Sequence, residues 1–542
     1  MFSNVPNNFL NCMENQSLQN WNISKSGLRF LIIILLVIGV FFRFANLDKK
    51  VYWGDEAFSS LRISGYLQSE MNKQLSDGRV FTIEDLHKYQ YPNAEKDAGD
   101  TIKGIAVEDS QILPLYILIT RFWLEWFGDS IAVARSFSVF ISLFTFPLLY
   151  LLCLELFESS LVGWMAIALI AVSPIHLVYA QEVRAYSLWI VTILMSSVAL
   201  LRAIRLKTKV SWGIYAITLS LGFYTHLFFT LVAFGQGIYL IAIERFRLSK
   251  TSIYYLISSL AGVMSFVPWI WIIITNPQPE SVSWANAKQT FFASAMRWAG
   301  LYSRPFLDLG ISPDAPGIVK IALIPFILII LTLTIYSIYF LCRRTPKKVW
   351  LFVLTLIGSV GIPLLIADFI FQKRYATSRY TLSSVLGIEL AIAYLLTTKI
   401  ASINTKAWQN KLWSLVTFML IMSGIVSCIL NSQAQMWWNK LPEKYEDFPK
   451  IANIVSQGNK PLLISSTDNI MSSVQVLSYL LDPKVQYQIV GKNQLPKIAN
   501  GFTDIFLFLV EPSDFLKAGV EKVYNSKLQQ INKVLWKVTK ST

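Results

Sequence analysis

Residues 28–44 read LRFLIIILLVIGVFFRF, and eight residues further on residues 52–59 read Tyr52-Trp53-Gly54-Asp55-Glu56-Ala57-Phe58-Ser59. The first stretch is long and apolar enough to cross a hydrocarbon core of roughly 30 Å. A polar segment of more than twenty residues precedes it and no small-residue cleavage site follows, which reads as a retained anchor with a tail at 1–27 rather than as a secretory signal. The second stretch then places two adjacent carboxylates among aromatic side chains just beyond a membrane surface. Aromatics at that depth are ordinary interface anchors. Paired carboxylates are not, because desolvation and mutual repulsion raise a carboxyl pKa unless a cation or donor compensates.

Working outward, apolar runs of similar length recur near 130–152, 161–179, 186–204, 211–224, 226–243, 253–275, 318–341, 349–367, 380–398 and 412–430. With the first, that predicts a polytopic α-helical membrane protein of about eleven spans. Composition agrees: of 542 residues 54% are hydrophobic and only 15% charged, with a mean hydropathy of +0.48. The net charge of +15 does not point to nucleic acid, since the lysines and arginines fall in short clusters between apolar runs, as topology signals facing anionic lipid. Cys12, Cys153, Cys342 and Cys428 show neither paired nor metal-type spacing.

The positive-inside rule tests the span count. Lys25 and Arg29; Arg202, Arg205, Lys207 and Lys209; Arg245, Arg247 and Lys250; Arg343, Arg344, Lys347 and Lys348; and Lys399, Lys406 and Lys411 all come out on one side, the cytoplasmic one. Counting Leu113–Phe127 as a span would reverse every later loop, so it is expected to be an interfacial or re-entrant helix. The stretch Ser211–Ile243, about 50 Å as one helix, must instead cross twice and turn near Tyr224, Thr225 and His226. The expected organisation is a cytoplasmic tail at 1–27, a transmembrane domain at 28–431 with a long outer loop at 48–129, and a small extracytoplasmic α/β domain at 432–542. That last domain has strand-like runs at Pro461–Ser465, Val485–Val490 and Asp504–Val510 and no nucleotide-binding glycine motif.

On this topology the unusual residues gather on the outer face. Asp55 and Glu56 are joined there by Ser173-Pro174-Ile175-His176 and by Gln181-Glu182-Val183-Arg184-Ala185-Tyr186. If a helix has already begun at that point, Glu182 and Tyr186 share a face; a structural Glu–Arg pair is the competing account. Lys373, Arg374, Arg379 and Tyr380 break the charge rule. A phosphate near the membrane surface would account for them, arginine gripping it through a planar fork, as would anionic lipid. His226, alone in its turn, reads first as a hydrogen-bonded structural histidine.

Taken in order, Gly54-Asp55-Glu56-Ala57, Leu113-Pro114-Leu115-Tyr116 with Phe127-Gly128-Asp129-Ser130 and Ala134-Arg135, Ser173-Pro174 with Gln181-Glu182-x-Arg184-x-Tyr186-Ser187, Tyr224-Thr225-His226, and Arg379-Tyr380 resemble the GT-C membrane glycosyltransferases of family 39, the protein O-mannosyltransferase and lipid A aminoarabinose transferase type. The likeness covers roughly residues 28–400. It implies a polyprenyl-phosphate sugar donor in the plasma (inner) membrane, an acceptor protein, lipid or glycan on the outer face, and transfer with inversion. Asp55 would be the base, Glu56 a supporting residue, and Glu182, Arg184, Tyr186, His226, Arg379 and Tyr380 would line the donor site, with Lys373 and Arg374 weaker candidates. One departure stands out: where such proteins carry an acidic residue followed by His-Pro-Pro-Leu-Tyr, this chain has Asp109-Ser110-Gln111-Ile112-Leu113-Pro114-Leu115-Tyr116. Asp109 is kept as a candidate, and a divalent metal ion shared with Asp55 stays an open alternative. The rival reading from another class is a transporter or flippase of a lipid-linked sugar, with Asp55, Glu182 and Arg184 along its path.

Overall fold

The computed structural model describes residues 25–277, 287–311, 316–402, 406–467, 473–491, 494–508 and 514–540. Most of the tail at 1–27, Cys12, parts of the middle loop, and Leu509 and Val510 of the third strand-like run lie outside them. All eleven apolar segments are helical. Among the described residues seven helical stretches are long and apolar enough to cross a membrane, from Ile131–Phe157 to Ala407–Gln433, and the pair Ser160–Ala171 and Pro174–Ala180, bent by 63°, makes up to an eighth. Phe30–Phe44 and Phe229–Ile243 are shorter apolar helices, and Lys209–Phe223 is the eleventh. The chain is thus a multi-pass membrane protein.

Local chemistry sets these boundaries. Ser130, Ser159, Thr208 and Ser249 each accept a hydrogen bond at a helix start from the amide three residues on, satisfying a donor the helix leaves open. The long stretch up to Ile243 breaks at Tyr224–Phe228, where the turn was expected. Leu113–Phe127 gives a 14-residue helix, Pro114–Phe127, packed on Gly54–Ser64, Ala98–Glu108 and Ile131–Leu143. Its Arg121 reaches the carbonyl oxygens of Ile63 and Ser64, which seats it against the end of the helix Gly54–Ser64. The basic loops meet at the opposite end of the bundle: Arg202 and Arg205 grip Glu155, and Lys348 reaches Glu158. Apolar side chains such as Phe41, Ile217, Leu260, Ile335, Ile362 and Phe418 point outward, as lipid contact requires.

The bend at Val172–Ser173 matters most for the site. A broken helix strands carbonyl groups that cannot be left unpaired away from water. Arg43 at the end of the first span donates to the carbonyls of Ile170 and Ala171, and the Cys428 thiol sits on that of Val172. Two glycines allow the approach: a Cβ on Gly39 would lie 2.6 Å from the Ala171 oxygen, and one on Gly424 2.5 Å from the Val172 oxygen. Beyond the bend, residues 181–185 run as turns and the next helix starts only at Tyr186. Glu182 therefore does not share a helix face with Tyr186.

Outside the bundle lies one six-stranded sheet in the order β1-β3-β2-β4-β6-β5. β2 (Pro461–Ser466), β3 (Gln486–Val490) and β4 (Asp504–Phe508) are its parallel centre. β5 (Ser526–Gln530) and β6 (Leu535–Lys540) close one side antiparallel, and β1 (Val80–Phe81) closes the other. β1 comes from the long loop at 48–129. That loop and the C-terminal region share a core, including Trp53, Leu61, Tyr66, Leu75, Phe81, Tyr445, Phe448 and Tyr487, while Leu462, Ile464, Val490, Leu507, Leu516, Val520 and Trp536 form a second cluster within the C-terminal region itself.

Candidate active site

The helix Gly54–Ser64 starts the site. Trp53 is extended ahead of it, Asp55 and Glu56 occupy its first turn where the helix dipole favours acids, and Gly65 ends it at φ +91°. Adjacent helical residues point about 100° apart, so the two carboxylates face different surroundings. Glu56 turns inward with no exposed side-chain surface. Arg135 meets it with a two-pronged contact at 2.8 and 2.7 Å, Lys440 donates at 2.7 Å, and the Val183 amide adds a fourth bond. Burial opposes its charge, but the two cations win and hold its pKa down at about 2. A carboxylate so enclosed clamps the first loop to the bundle.

Asp55 keeps 29% of its side chain exposed. Its Oδ2 accepts from Arg379 at 2.6 Å, and Arg184 lies 3.9 Å away while also reaching the Asp55 carbonyl and Ser59 Oγ. Arg379 lies over the Tyr380 ring at 5.2 Å and Arg184 over that of Tyr186 at 6.0 Å. His226 stacks on Trp189 at 4.2 Å and sits 6.2 Å from Tyr186 and 6.0 Å from Tyr380. Burial, then the Arg184 and Arg379 charges, lower its pKa to about 3, so the imidazole is neutral at physiological pH. Asp55, Arg184, Tyr186, His226, Arg379 and Tyr380 thus converge at one mouth.

Glu182 stands just behind. One of its oxygens accepts from the Asn439 amide, while Oε2 is buried without a hydrogen bond among the described residues. Burial raises its pKa to about 7. Asp109 lies on another wall, bound by Arg62, which also binds Glu108. Lys373 and Arg374 belong to a different neighbourhood. Both follow the helix ending at Phe369; the Lys373 amide bonds Ala367, and Arg374 is exposed beside the Arg297–Asp368 pair.

Sequence reading overlooked the segment after the last span. Trp437 and Trp438 donate to Asp308, Asn439 binds Glu182, Lys440 binds Glu56, and the Tyr445 hydroxyl packs on Gly54. A Trp-Trp-Asn-Lys run beside a span reads as an ordinary interface anchor, so nothing local marked it. Arg304 was also missed. Its guanidinium lies 3.9 Å over Trp438, shares the Tyr179 neighbourhood with Arg379 and feels the charge of Asp308. Arg62, by contrast, stood seven residues after Asp55 on the same helical face, a spacing that was there to be read.

A divalent ion bridging Asp55 and Asp109 would need several oxygen ligands and a negative surrounding. Both carboxylates are instead bound by guanidinium groups, and among the described residues no cluster of three or more His, Cys, Asp or Glu side chains is arranged to hold a metal. The residues do not fit the ion.

Residues 113–272 match the family model described as dolichyl-phosphate-mannose-protein mannosyltransferase. No curated protein sequence matches the chain. Among solved structures, ArnT from Cupriavidus metallidurans in the apo state is similar at a TM-score of 0.50 and 11% identity, covering 95% of this chain and 98% of that one. The same protein bound to undecaprenyl phosphate aligns at 0.49, with 10% identity and the same coverage. The Archaeoglobus fulgidus oligosaccharyltransferase AglB, in complex with an inhibitory peptide and a dolichol-phosphate, aligns at 0.48 with 11% identity, covering 84% of this chain and 65% of that one. The apo ArnT likeness carries the fold, and residues 113–272 carry a likeness to the dolichyl-phosphate-mannose-protein mannosyltransferase family.

Proposed function

We propose that the chain transfers a sugar from a polyprenyl-phosphate-linked donor to an acceptor hydroxyl or amine on the outer face of the plasma (inner) membrane, inverting the anomeric centre, with Asp55 as general base. The observation that carries this is the pairing of one partly exposed carboxylate with two arginines at the mouth of the bundle. The family model over residues 113–272 supports a dolichyl-type phosphate donor. A phosphate leaving group whose second pKa is about 6 departs as an anion. It needs cations more than it needs an acid.

The resting contacts suggest an order of events. Arg379 neutralises Asp55 until a donor arrives; the donor phosphate, with more charge and more acceptor oxygens, then takes the guanidinium, and the released carboxylate is free to accept the acceptor's proton. Arg184, bridging Asp55 and Ser59, is placed to follow the same phosphate, and Arg304 offers a further cation beyond Tyr179. Neutral His226, with Tyr186 and Tyr380, walls the sugar side.

The test is reconstitution of the full chain with labelled polyprenyl-phosphate sugars and a panel of acceptors, parent against Asp55→Asn. Transfer by the parent with a fall of about 100- to 10,000-fold in the variant is expected. Undiminished transfer by Asp55→Asn overturns the assignment of the base. Movement of the sugar lipid across the membrane without transfer would favour the flippase reading instead.

A further inference from the structure

Asp55 and Arg62 lie seven residues apart on one face of the helix Gly54–Ser64, with Ser59 between them. Arg62 is buried, at 1% exposure of its side chain. Its Nε donates to Asp109 Oδ2 at 2.5 Å, and its NH1 reaches Glu108 at 2.8 Å and the Tyr66 carbonyl at 3.3 Å. Glu108 accepts in addition from the Gln68 amide and from the amide and hydroxyl of Ser69. Both acids sit where the helix Ala98–Glu108 ends, Asp109 being its C-cap. A helix C-terminus is electrostatically negative. Two carboxylates there call for a cation, and one side chain supplies it.

Asp109 also feels the charge of Arg184, the residue that touches the Asp55 carbonyl and Ser59. The mouth therefore carries three carboxylates, Asp55, Glu108 and Asp109, interleaved with three guanidinium groups, Arg62, Arg184 and Arg379. Their formal charges cancel without any ion. A divalent cation placed between Asp55 and Asp109 would stand among three fixed positive groups.

We propose that Arg62 is a built-in cation standing where a divalent ion would otherwise bridge the acidic residues, and that it is a positioning residue for the Asp55 site. By holding Asp109 to the Asp55 helix it leaves Arg184 to Asp55 and to the donor phosphate; without it, Asp109 would draw Arg184 away. The positioning role rests on the transfer reading given above. The metal-replacing role does not.

The experiment is a Mn2+ titration of the purified full chain followed by electron paramagnetic resonance, with thermal stability recorded for each variant. The parent is expected to show no saturable Mn2+ site. Arg62→Ala, which frees Glu108 and Asp109, is expected to gain one, and Arg62→Lys, which keeps the charge, to stay without. A saturable site in the parent that Asp109→Asn removes overturns the proposal, as does a folded Arg62→Ala that gains none. If Arg62→Ala does not fold, Arg62→Gln replaces it under the same criterion. In the transfer assay, EDTA should change the parent rate by about twofold or less, whereas loss of a working metal site would cost at least about tenfold, restored by Mn2+. A parent that transfers nothing at all defeats the proposed function while the Mn2+ titration still decides the role of Arg62.

Discussion

Asp55 and Glu56 are neighbours in the chain and opposites in the fold. Asp55, 29% exposed, holds a single close cation and a second at 3.9 Å; Glu56, fully enclosed, takes two close cations and a backbone amide. One carboxylate has room to change partners and the other has none. Burial alone would push Glu56 toward the neutral acid, and it is the density of fixed donors that reverses this. The difference teaches that paired acidic residues in a sequence need not share a role, because a helix turn sends them to different surroundings.

The strongest way to break the comparison is to remove the enclosed partner. Glu56→Ala leaves Arg135 and Lys440 buried without their counter-charge and should cost about 3–5 kcal/mol of stability, since an uncompensated buried charge is expensive. A thermal-unfolding scan in detergent checks it. Asp55→Asn, despite its large expected effect on transfer, should shift the same scan far less than Glu56→Ala, because a partly exposed carboxylate loses less when it becomes an amide that can still accept from Arg379. Equal destabilisation by the two substitutions would erase the distinction.

Glu182 sharpens it from a third position. Its folded pKa, raised by burial to about 7, lies above the value near 4.5 of an exposed carboxyl, so the folded state holds a proton that the unfolded chain has released. Its contribution to stability is complete below about pH 4.5 and is lost as pH rises through 7. Ionisation there also sets a buried negative charge beside Asp55 and the donor phosphate, so donor binding should weaken over the same range. Glu182→Gln should remove that fall from the pH profile of kcat/KM while leaving the low-pH limb. The smallest effect is expected at Arg374. It is exposed and sits beside Arg297 and Asp368 rather than Asp55, so Arg374→Ala should change transfer by about twofold or less, as exposed charges usually contribute little.

Much of the bundle was legible because lipid imposes its own grammar. Every span must be apolar and must close its own hydrogen bonds, so run length marks out eleven segments, all of them helical, and the sidedness of Lys and Arg separates Leu113–Phe127 from them as an expected interfacial or re-entrant helix. Small-domain strands are less constrained. β2, β3 and β4 were visible as apolar runs, while β5 reads Ser-Lys-Leu-Gln-Gln and β1 is two residues long, too polar or too short to signal anything before its partner is known.

The sequence by itself determined that this chain crosses the membrane many times, that its unusual polar residues collect at one end, and that Asp55, Arg184, His226 and Arg379 were candidates for one site. Only the tertiary structure decided who pairs with whom. It bent one span at Ser173, carried Arg379 across 324 positions of sequence to Asp55, brought Lys440 across 384 to Glu56, and set Arg62 on Asp109. The physical reason is range. Hydropathy and charge bias act on each segment separately and survive in a linear reading, whereas a salt bridge is fixed at a few ångströms by where whole helices pack.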